Sequence, residues 1–500
     1  MPNFAENLPV LAPLLALAVG ALGVLVLDLV LPARRGYGWW FAVALAGVVL
    51  AALYTVPLLG ASRTAFGGAL VADRFGLFFW LVILAAAGAS LLLSLSRSEE
   101  DASGYLALLL WAAMGMAVLA AAGNLMVVFL GLEILSLALY VLVAFAPGNR
   151  IAWEAALKYF LLGAVAAGFL LFGFALLYGA VGGVGLDQVA EYARGTAELP
   201  RIYKLGVGLS LAGFAFKLAL VPFHVWAPDA YEGAPTPVTA FMSVGTKAAA
   251  FAAMARFLVA AVPPQAQTAY LLPLGVLAAL SMLVGALAAI RQENLKRILA
   301  YSGISHAGYL IMALPGLTEE GLGAGLFYLA GYLCMNMALF AGMVYLRQVG
   351  EDGESVASYT GLLYRRPALA GALALALFAL AGLPPTVGFT GKFLLALAAI
   401  RGEAWLLLGA LILATGVSAY VYLRVVAAMA RQPKKVRRSA AAEVAAAAAP
   451  AAGEGAAALG LPDGLVRGAA GAVLVLAVAG MLLLGVLPGR VLAALTGLLG

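Results

Sequence analysis

The sequence has little charge. Only 10% of its 500 residues are Asp, Glu, Lys or Arg, and 65% are hydrophobic, whereas a soluble domain is about 25% charged. It has one cysteine, Cys334, and two histidines, His224 and His306. One cysteine excludes an intrachain disulfide and a thiolate metal site, and no CxxC, HExxH or glycine-rich phosphate loop occurs. We therefore expect this chain to bind no metal and no redox cofactor.

Long apolar runs fill the sequence from end to end. About fourteen of them reach the roughly 20 residues that a membrane-spanning helix needs, and no soluble domain remains between them. The first run follows Glu6 rather than basic residues, which favours a retained helix over a cleaved signal peptide. The sequence thus predicts an all-α polytopic membrane protein.

Basic residues concentrate in alternate loops. One set of loops holds Arg150, Arg297, Arg347 and the cluster from Arg431 to Arg438, and the other set holds fewer Lys and Arg. The positive-inside rule makes the richer side cytoplasmic. We therefore expect both termini on the outer side, and the charge of +6 needs no nucleic-acid partner.

Two of the predicted spans, the seventh and the twelfth, are interrupted. Pro222 breaks the seventh after Lys217, and GLPPTVGF at 382–389 breaks the twelfth before Lys392. Broken helices in comparable positions of two halves are typical of transporters built from inverted repeats. Glu133 precedes Lys217 by 84 residues (217 − 133), and His306 precedes Lys392 by 86 (392 − 306), so helices 4–8 are expected to recur in helices 9–13. The predicted regions are 1–100 (helices 1–3), 101–262 (first unit), 263–430 (second unit), 431–464 (basic, Ala-rich cytoplasmic linker) and 465–500 (helix 14).

Four ionisable residues lie deep inside predicted spans: Glu133, Lys217, Lys247 and Lys392. Such groups are costly in hydrocarbon, so they mark a functional site by default. A buried lysine is able to gain and lose a proton near pH 7. We expect Glu133 to pair with Lys217 and water to reach Lys217 through the break at Pro222. The alternatives are a static ion pair for Glu133, a packing lysine for Lys247 and a lysine that reaches the surface for Lys392.

Three further residues have a weaker claim to proton transfer. His306 and His224 are natural relays between lysines because an imidazole titrates near neutral pH, and either is equally able to be a neutral packing group. Lys158 lies four residues after Glu154, so an ion pair on one helix face explains it without transport. The segment 228–241, with Asp229 and Glu232, is interpreted as a rigid proline-rich connection.

Five motifs give the chain a family resemblance. They are LGLEILSLALY, EAALKYFLLG, FKLALVPFHVWAPDAYEGAPTPVTAFMSVGTKAA, NLKRILAYSGISHAGYL and AGLPPTVGFTGKF. The chain resembles, over nearly its whole length, the N-type antiporter-like membrane subunit (subunit N) of respiratory NADH:quinone oxidoreductase, complex I. The resemblance implies fourteen transmembrane helices, two inverted five-helix repeats, and a hydrophilic axis of Glu133, Lys217, Lys247 and Lys392, with Lys158 and His306 as additional members.

The resemblance also implies a function and partners. The subunit would move protons as electrons pass from NADH to quinone, in a bacterial plasma membrane, beside the other membrane and peripheral subunits of complex I. NAD, FMN, iron–sulfur clusters and quinone would belong to those partner subunits. The alternatives are an Mrp-like cation/proton antiporter subunit and a structural spacer whose ion pairs only set helix packing.

Overall fold

A computed structural model describes residues 4–31, 33–95, 102–146, 148–314, 318–432 and 463–497. Most of the predicted linker at 431–464 lies outside these ranges. Within them the chain forms nineteen α-helices and one antiparallel hairpin of two short strands. The strands are β1 (Arg63–Ala65) and β2 (Leu70–Ala72). The helices are α1 (Phe4–Val30), α2 (Ala33–Thr55), α3 (Arg74–Ser94), α4 (Ala102–Ala120), α5 (Leu125–Ala144), α6 (Arg150–Val181), α7 (Leu186–Gly195), α8 (Arg201–Lys217), α9 (Trp226–Gly233), α10 (Thr236–Ala261), α11 (Gln267–Ala289), α12 (Leu295–Ile311), α13 (Glu319–Gln348), α14 (Leu362–Arg365), α15 (Pro367–Ala381), α16 (Val387–Arg401), α17 (Trp405–Ala430), α18 (Asp463–Val486) and α19 (Pro488–Thr496).

The membrane-spanning architecture is confirmed. In the described part of the chain, eleven helices are long and apolar enough to cross a membrane. Shorter helices occupy the positions of the other three predicted spans, namely α8, α12 and the pair α15 and α16. The count of fourteen spans therefore stays a prediction.

Both predicted interruptions are present. Helix α8 ends at Lys217, and the chain resumes helical structure in α9 at Trp226. Helix α15 ends at Ala381 and α16 begins at Val387. Each break contains one cis X–Pro peptide bond, Val221–Pro222 and Pro384–Pro385. The ends of helices leave backbone carbonyls without intrahelical partners, so each break offers hydrogen-bond acceptors at membrane depth.

Helix α10 forms the centre of the molecule and connects its two ends. It is buried along almost its whole length. Near its C-terminus Arg256 forms an ion pair with Asp73 beside the β-hairpin, and we call this the hairpin end. Beside its N-terminus the Ala234 carbonyl accepts a hydrogen bond from Lys296 Nζ at 2.9 Å, and we call this the Lys296 end.

One local motif occurs at both ends. Asn124 caps α5 and forms an isolated β-bridge with Gly185, and Asn294 caps α12 and forms one with Ser355. Each residue of the second bridge lies 170 positions after its counterpart (294 − 124 and 355 − 185). The Asn124 bridge borders the hairpin end, where Gly123 N donates to Ala69 O, and Asn294 adjoins Lys296. The two copies therefore lie at opposite ends of the molecule.

Two further contacts recur at nearly the same offset. A Cβ added to Gly115 would meet the backbone N of Leu135 at 2.5 Å, and one added to Gly285 would meet that of Ser305 at 2.7 Å. The glycines thus permit close approach of α4 to α5 and of α11 to α12. Arg256 in α10 donates to the Ala120 carbonyl at the end of α4. Arg424 in α17 likewise donates to the Ile290 carbonyl at the end of α11.

Candidate functional site

Lys217 is the last residue of α8 and is 2% exposed. Its Nζ donates hydrogen bonds to Ser136 Oγ in α5 and to Tyr159 Oη in α6, both at 2.9 Å. A cavity of about 10 Å³, lined in part by Ser136, Tyr140 and Lys217, adjoins the ammonium, which is near the size that one water molecule needs. The lysine is therefore buried, satisfied by two hydroxyls and next to space for water.

Glu133 lies one helical turn before Ser136 on α5. Its carboxyl attracts the Lys217 ammonium electrostatically, but Lys217 donates to the two hydroxyls rather than to the carboxylate. Glu133 is half-buried, and its Oε1 makes no hydrogen bond within the described residues. No ion pair or hydrogen bond joins Glu133 to Lys217 within the described residues, so a direct pairing of the two stays a prediction.

Helix α9 connects the surroundings of two lysines. At its first residue Trp226 stacks on Tyr159 with ring centroids 4.3 Å apart, and Trp226 Nε1 donates to the Phe216 carbonyl at 3.1 Å. One and a half turns later Tyr231 Oη accepts a hydrogen bond from Lys247 Nζ at 3.0 Å. Residues 226–233 are helical, so the connection predicted from the sequence is a half-helix that touches both sites.

Lys247 lies in the middle of the central helix α10 and is 3% exposed. Besides Tyr231, its surroundings include Gly303 of α12, where an added Cβ would lie 3.2 Å from Lys247 Nζ and 3.2 Å from Tyr332 Oη. Lys247 therefore occupies the boundary between the half of the molecule around Lys217 and the half around His306.

Lys392 lies in α16, one and a half turns after the second break, and is 6% exposed. Its Nζ donates to the carbonyls of Leu380 at 2.9 Å and Ala381 at 3.3 Å, which are the last residues of α15. It also lies over the Tyr309 ring, 5.1 Å from the centroid. The ammonium thus turns inward to the freed carbonyls of the broken helix rather than outward to the surface.

His306 is 1% exposed and lies among three tyrosines. Its Nδ1 shares a hydrogen bond of 2.6 Å with Tyr328 Oη. Its ring lies 5.3 Å from that of Tyr309 and 4.8 Å from that of Tyr332. Because Tyr309 also lies beneath Lys392, its ring is a neighbour of both His306 and Lys392.

Lys158 and His224 lie apart from this row. Lys158 has a side chain that is 47% exposed, and it forms ion pairs of 2.8 Å with Glu154 and Asp229. Asp229 also accepts a hydrogen bond from Arg297 at 2.9 Å. His224 is half-buried within the first break, and its Nδ1 makes no hydrogen bond of ordinary geometry within the described residues. The geometry at Lys158 matches the ion-pair alternative and adds Asp229 as a second partner.

Sequence reasoning missed five buried tyrosines that line the row of ionisable groups, namely Tyr159, Tyr231, Tyr309, Tyr328 and Tyr332. A weak signal was available, because Tyr328 and Tyr332 are four residues apart and so share a helix face. A buried tyrosine hydroxyl usually has a hydrogen-bond partner. Nothing in the sequence said which tyrosines would face the lysines.

The described residues contain no group of three or more His, Cys, Asp or Glu side chains that could hold a metal ion. The groups that the site does offer are amines, an imidazole, a carboxylate and hydroxyls. These exchange protons and bind water.

One family model and several known proteins are similar to this chain. The family model described as NADH:quinone oxidoreductase/Mrp antiporter, TM matches residues 122–418. NADH-quinone oxidoreductase subunit N 1 of Symbiobacterium thermophilum is 54% identical over 492 residues, which cover 97% of each chain. Subunit N of Trichlorobacter lovleyi is 42% identical over 435 residues, covering 85% of this chain and 88% of that one.

Solved structures agree with these relatives. A chain of respiratory complex I from Thermus thermophilus with bound aureothin is 36% identical, with a TM-score of 0.77, and the match covers 97% of this chain and 99% of that one. A chain of the Mrp complex from Dietzia sp. has a TM-score of 0.81 at 24% identity, covering 97% and 96%, and shows a shared fold. By the matched family model and by identity along nearly all its length, this chain belongs to the subunit N family of NADH-quinone oxidoreductase.

Proposed function

We propose that this chain moves protons across the membrane as a subunit of NADH-quinone oxidoreductase. Lys217, Lys247 and Lys392 are the proton carriers, His306 is a relay, and Glu133 sets the charge near Lys217. The observation that carries the proposal is the row of three lysines, each at most 6% exposed at membrane depth, two of them beside broken helices. Buried ammonium groups are too costly to keep as packing elements alone.

The contacts suggest how a signal travels along the row. A change in charge near Glu133 alters how strongly the site favours the ammonium form of Lys217. Lys217 is connected to Lys247 through Tyr159, Trp226 and Tyr231. Trp226 and Tyr231 belong to one short helix, so a movement of α9 shifts the partners of both lysines together.

We further propose that residues 101–262 and 263–430 are two inverted units of five membrane segments each. The bridges at Asn124 and Asn294, the glycine contacts and the two arginine contacts support this division. At the offset of 170, Ser136 corresponds to His306, and Glu133 corresponds to Gly303. His306 of the second unit therefore occupies the position of Ser136, which accepts from Lys217, and not the position of Glu133.

The family supports our proposal for the partners and the membrane, and the positive-inside rule supports the proposed orientation. The partners are the other membrane and peripheral subunits of the oxidoreductase, and NAD, FMN, iron–sulfur clusters and quinone are bound by those subunits. The membrane is the bacterial plasma membrane, with both termini of this chain on its outer side. On this arrangement the hairpin end faces outward and the Lys296 end faces the cytoplasm.

The test is Lys217→Ala in the complete complex, reconstituted in vesicles. Protons moved per NADH, or the coupled quinone reductase rate, should fall. Lys204→Ala is the matched control, because Lys204 is on the same helix with a side chain that is 50% exposed. Unchanged values of both quantities for Lys217→Ala would exclude the proton-carrier role.

Two other functions give different results. An Mrp-like antiporter, which the family description includes, would exchange sodium for protons when the chain is purified without redox subunits. If the chain were only a structural spacer, Lys217→Ala would lower the amount of assembled complex. The complex that did assemble would move the wild-type number of protons per NADH.

A further inference from the structure

The boundary between the two lysine regions lies at Gly303. An added Cβ there would be 3.2 Å from Lys247 Nζ and 3.2 Å from Tyr332 Oη. The two polar atoms are therefore at most 6.4 Å apart (3.2 + 3.2). They make no hydrogen bond to each other within the described residues, and one water molecule with hydrogen bonds of about 2.8 Å spans up to about 5.6 Å.

Both groups have hydrogen-bonding capacity to spare. Lys247 Nζ carries up to three hydrogens and donates to Tyr231. Tyr332 is 1% exposed, and its hydroxyl makes no hydrogen bond of ordinary geometry in the described chain, although the Asn336 side chain is a polar neighbour. A buried hydroxyl without a partner costs about 1–3 kcal/mol. A residue with a side chain at 303 would fill the space that both groups face.

Tyr332 also touches the protonatable group of the second half. Its ring is tilted by 34° against the His306 imidazole, with centroids 4.8 Å apart. On its other side His306 is hydrogen-bonded to Tyr328. Tyr332 is thus a polar side chain that adjoins both Lys247, across Gly303, and His306.

We propose that Tyr332 carries protons between Lys247 and His306, with one water molecule held over Gly303 as the connection. This deepens the proposed function and rests on it. It assigns a role in transfer to Tyr332 and a positioning role to Gly303, whose missing side chain leaves the room for the water.

The proton balance closes without any other reactant. The Lys247 ammonium gives a proton to the water oxygen, and the water gives one of its own to Tyr332 Oη. The Tyr332 hydroxyl proton passes to the imidazole when the hydroxyl comes within hydrogen-bond reach of His306, since in the structure the two rings touch without a hydrogen bond. Water and tyrosine end neutral, Lys247 becomes a neutral amine and His306 becomes an imidazolium. The reverse sequence restores the starting state.

The experiment compares Tyr332→Phe and Gly303→Ala in the complete complex in vesicles. Phenylalanine keeps the ring and removes the hydroxyl, and alanine places a methyl group where the water sits. Both variants should lower protons per NADH to the value found for Lys247→Ala. Assembly is measured separately by NADH oxidation with ferricyanide, which should stay at the wild-type level. The double variant should lose no more than either single one, because both act on one water.

The controls are Tyr203→Phe and Gly104→Ala. Tyr203 is buried and donates to the Ala261 carbonyl near the hairpin end, and Gly104 has free space around it; both variants should pump normally. If Tyr332→Phe moved the wild-type number of protons per NADH while Lys247→Ala moved fewer, the role of Tyr332 would be overturned and the proposed function would not. Equal loss in Tyr203→Phe, or additive losses in the double variant, would also overturn it. A wild-type ratio for Lys247→Ala would refute the assignment of Lys247 itself.

Discussion

The surroundings of Lys217 and Lys392 differ in chemistry, although both lysines lie beside a broken helix. Lys217 donates to two hydroxyls, and Lys392 donates to two backbone carbonyls. A hydroxyl both donates and accepts, so it serves an ammonium or a neutral amine, whereas a carbonyl only accepts. The partners of Lys217 are therefore able to accept from its ammonium or donate to its neutral amine, whereas the partners of Lys392 only accept.

The two halves also differ at corresponding positions. Ser136 corresponds to His306 at the offset of 170, and Lys247 corresponds to Thr415 at the offset of 168 that relates Arg256 to Arg424. The row thus contains Lys217 and Lys247 from the first half and His306 and Lys392 from the second, while the second half also buries Lys296 at the Lys296 end. On the proposed division into two units, corresponding positions therefore carry different proton-exchanging groups.

The largest effect is expected for Lys392→Met. Removing the ammonium leaves the Leu380 and Ala381 carbonyls unsatisfied, at about 1–3 kcal/mol for each buried group. Both the amount of assembled complex and the coupled rate should fall, as measured by native gels and quinone reduction. Lys217→Met should lower the rate with less loss of complex, because hydroxyls rotate to other partners. Equal losses of assembled complex in Lys392→Met and Lys217→Met would contradict the difference between the two lysine sites.

His306→Ala should come next. It removes the relay and leaves the buried Tyr328 hydroxyl without its 2.6 Å partner. Protons per NADH should fall further than in Ser136→Ala, since Lys217 retains Tyr159 when Ser136 is lost. A larger fall in Ser136→Ala would mean that the serine, and not the histidine, carries the transfer at this shared position.

A smaller effect is expected for Tyr159→Phe. One hydrogen bond to Lys217 is lost, worth about 1.5–3 kcal/mol when a charged group is involved, while the stacking on Trp226 is preserved. Tyr309→Phe is the comparison in the second half. It keeps the ring beneath Lys392, and the coupled rate should stay nearer to wild type. A higher coupled rate in Tyr159→Phe than in Tyr309→Phe would contradict the conclusion that hydroxyls hold Lys217 and carbonyls hold Lys392.

The smallest effect is expected for Lys158→Met. Its ion pairs are partly exposed, and such pairs contribute little, while Asp229 keeps Arg297. Proton pumping and complex content should be close to wild type, and Asp229→Asn, which weakens both contacts, should have the larger effect. A drop as large as that of Lys217→Ala would return Lys158 to the proton path.

Much of the site was predictable because charge is so rare in this chain. Depth in an apolar run singled out Glu133 and the three lysines, and proline marked both breaks. The tyrosines were not predictable, since a tyrosine in an apolar helix faces lipid or core with equal ease. The proposed roles of Tyr332 and Gly303 depend on the packing of α10, α12 and α13, which brings both residues next to Lys247.

The sequence alone determined that the chain is an all-α membrane protein with interrupted helices beside Lys217 and Lys392, because hydrocarbon excludes charge and proline stops helices. It did not determine the hydrogen-bond partners. Lys217 bonds to Ser136, 81 residues away, and the Ala234 carbonyl accepts from Lys296, 62 residues away. Such contacts depend on how helices cross, which is set by packing at many glycines and apolar side chains at once. Only the tertiary structure therefore decided that hydroxyls hold one lysine, carbonyls hold the other, and a glycine separates Lys247 from Tyr332.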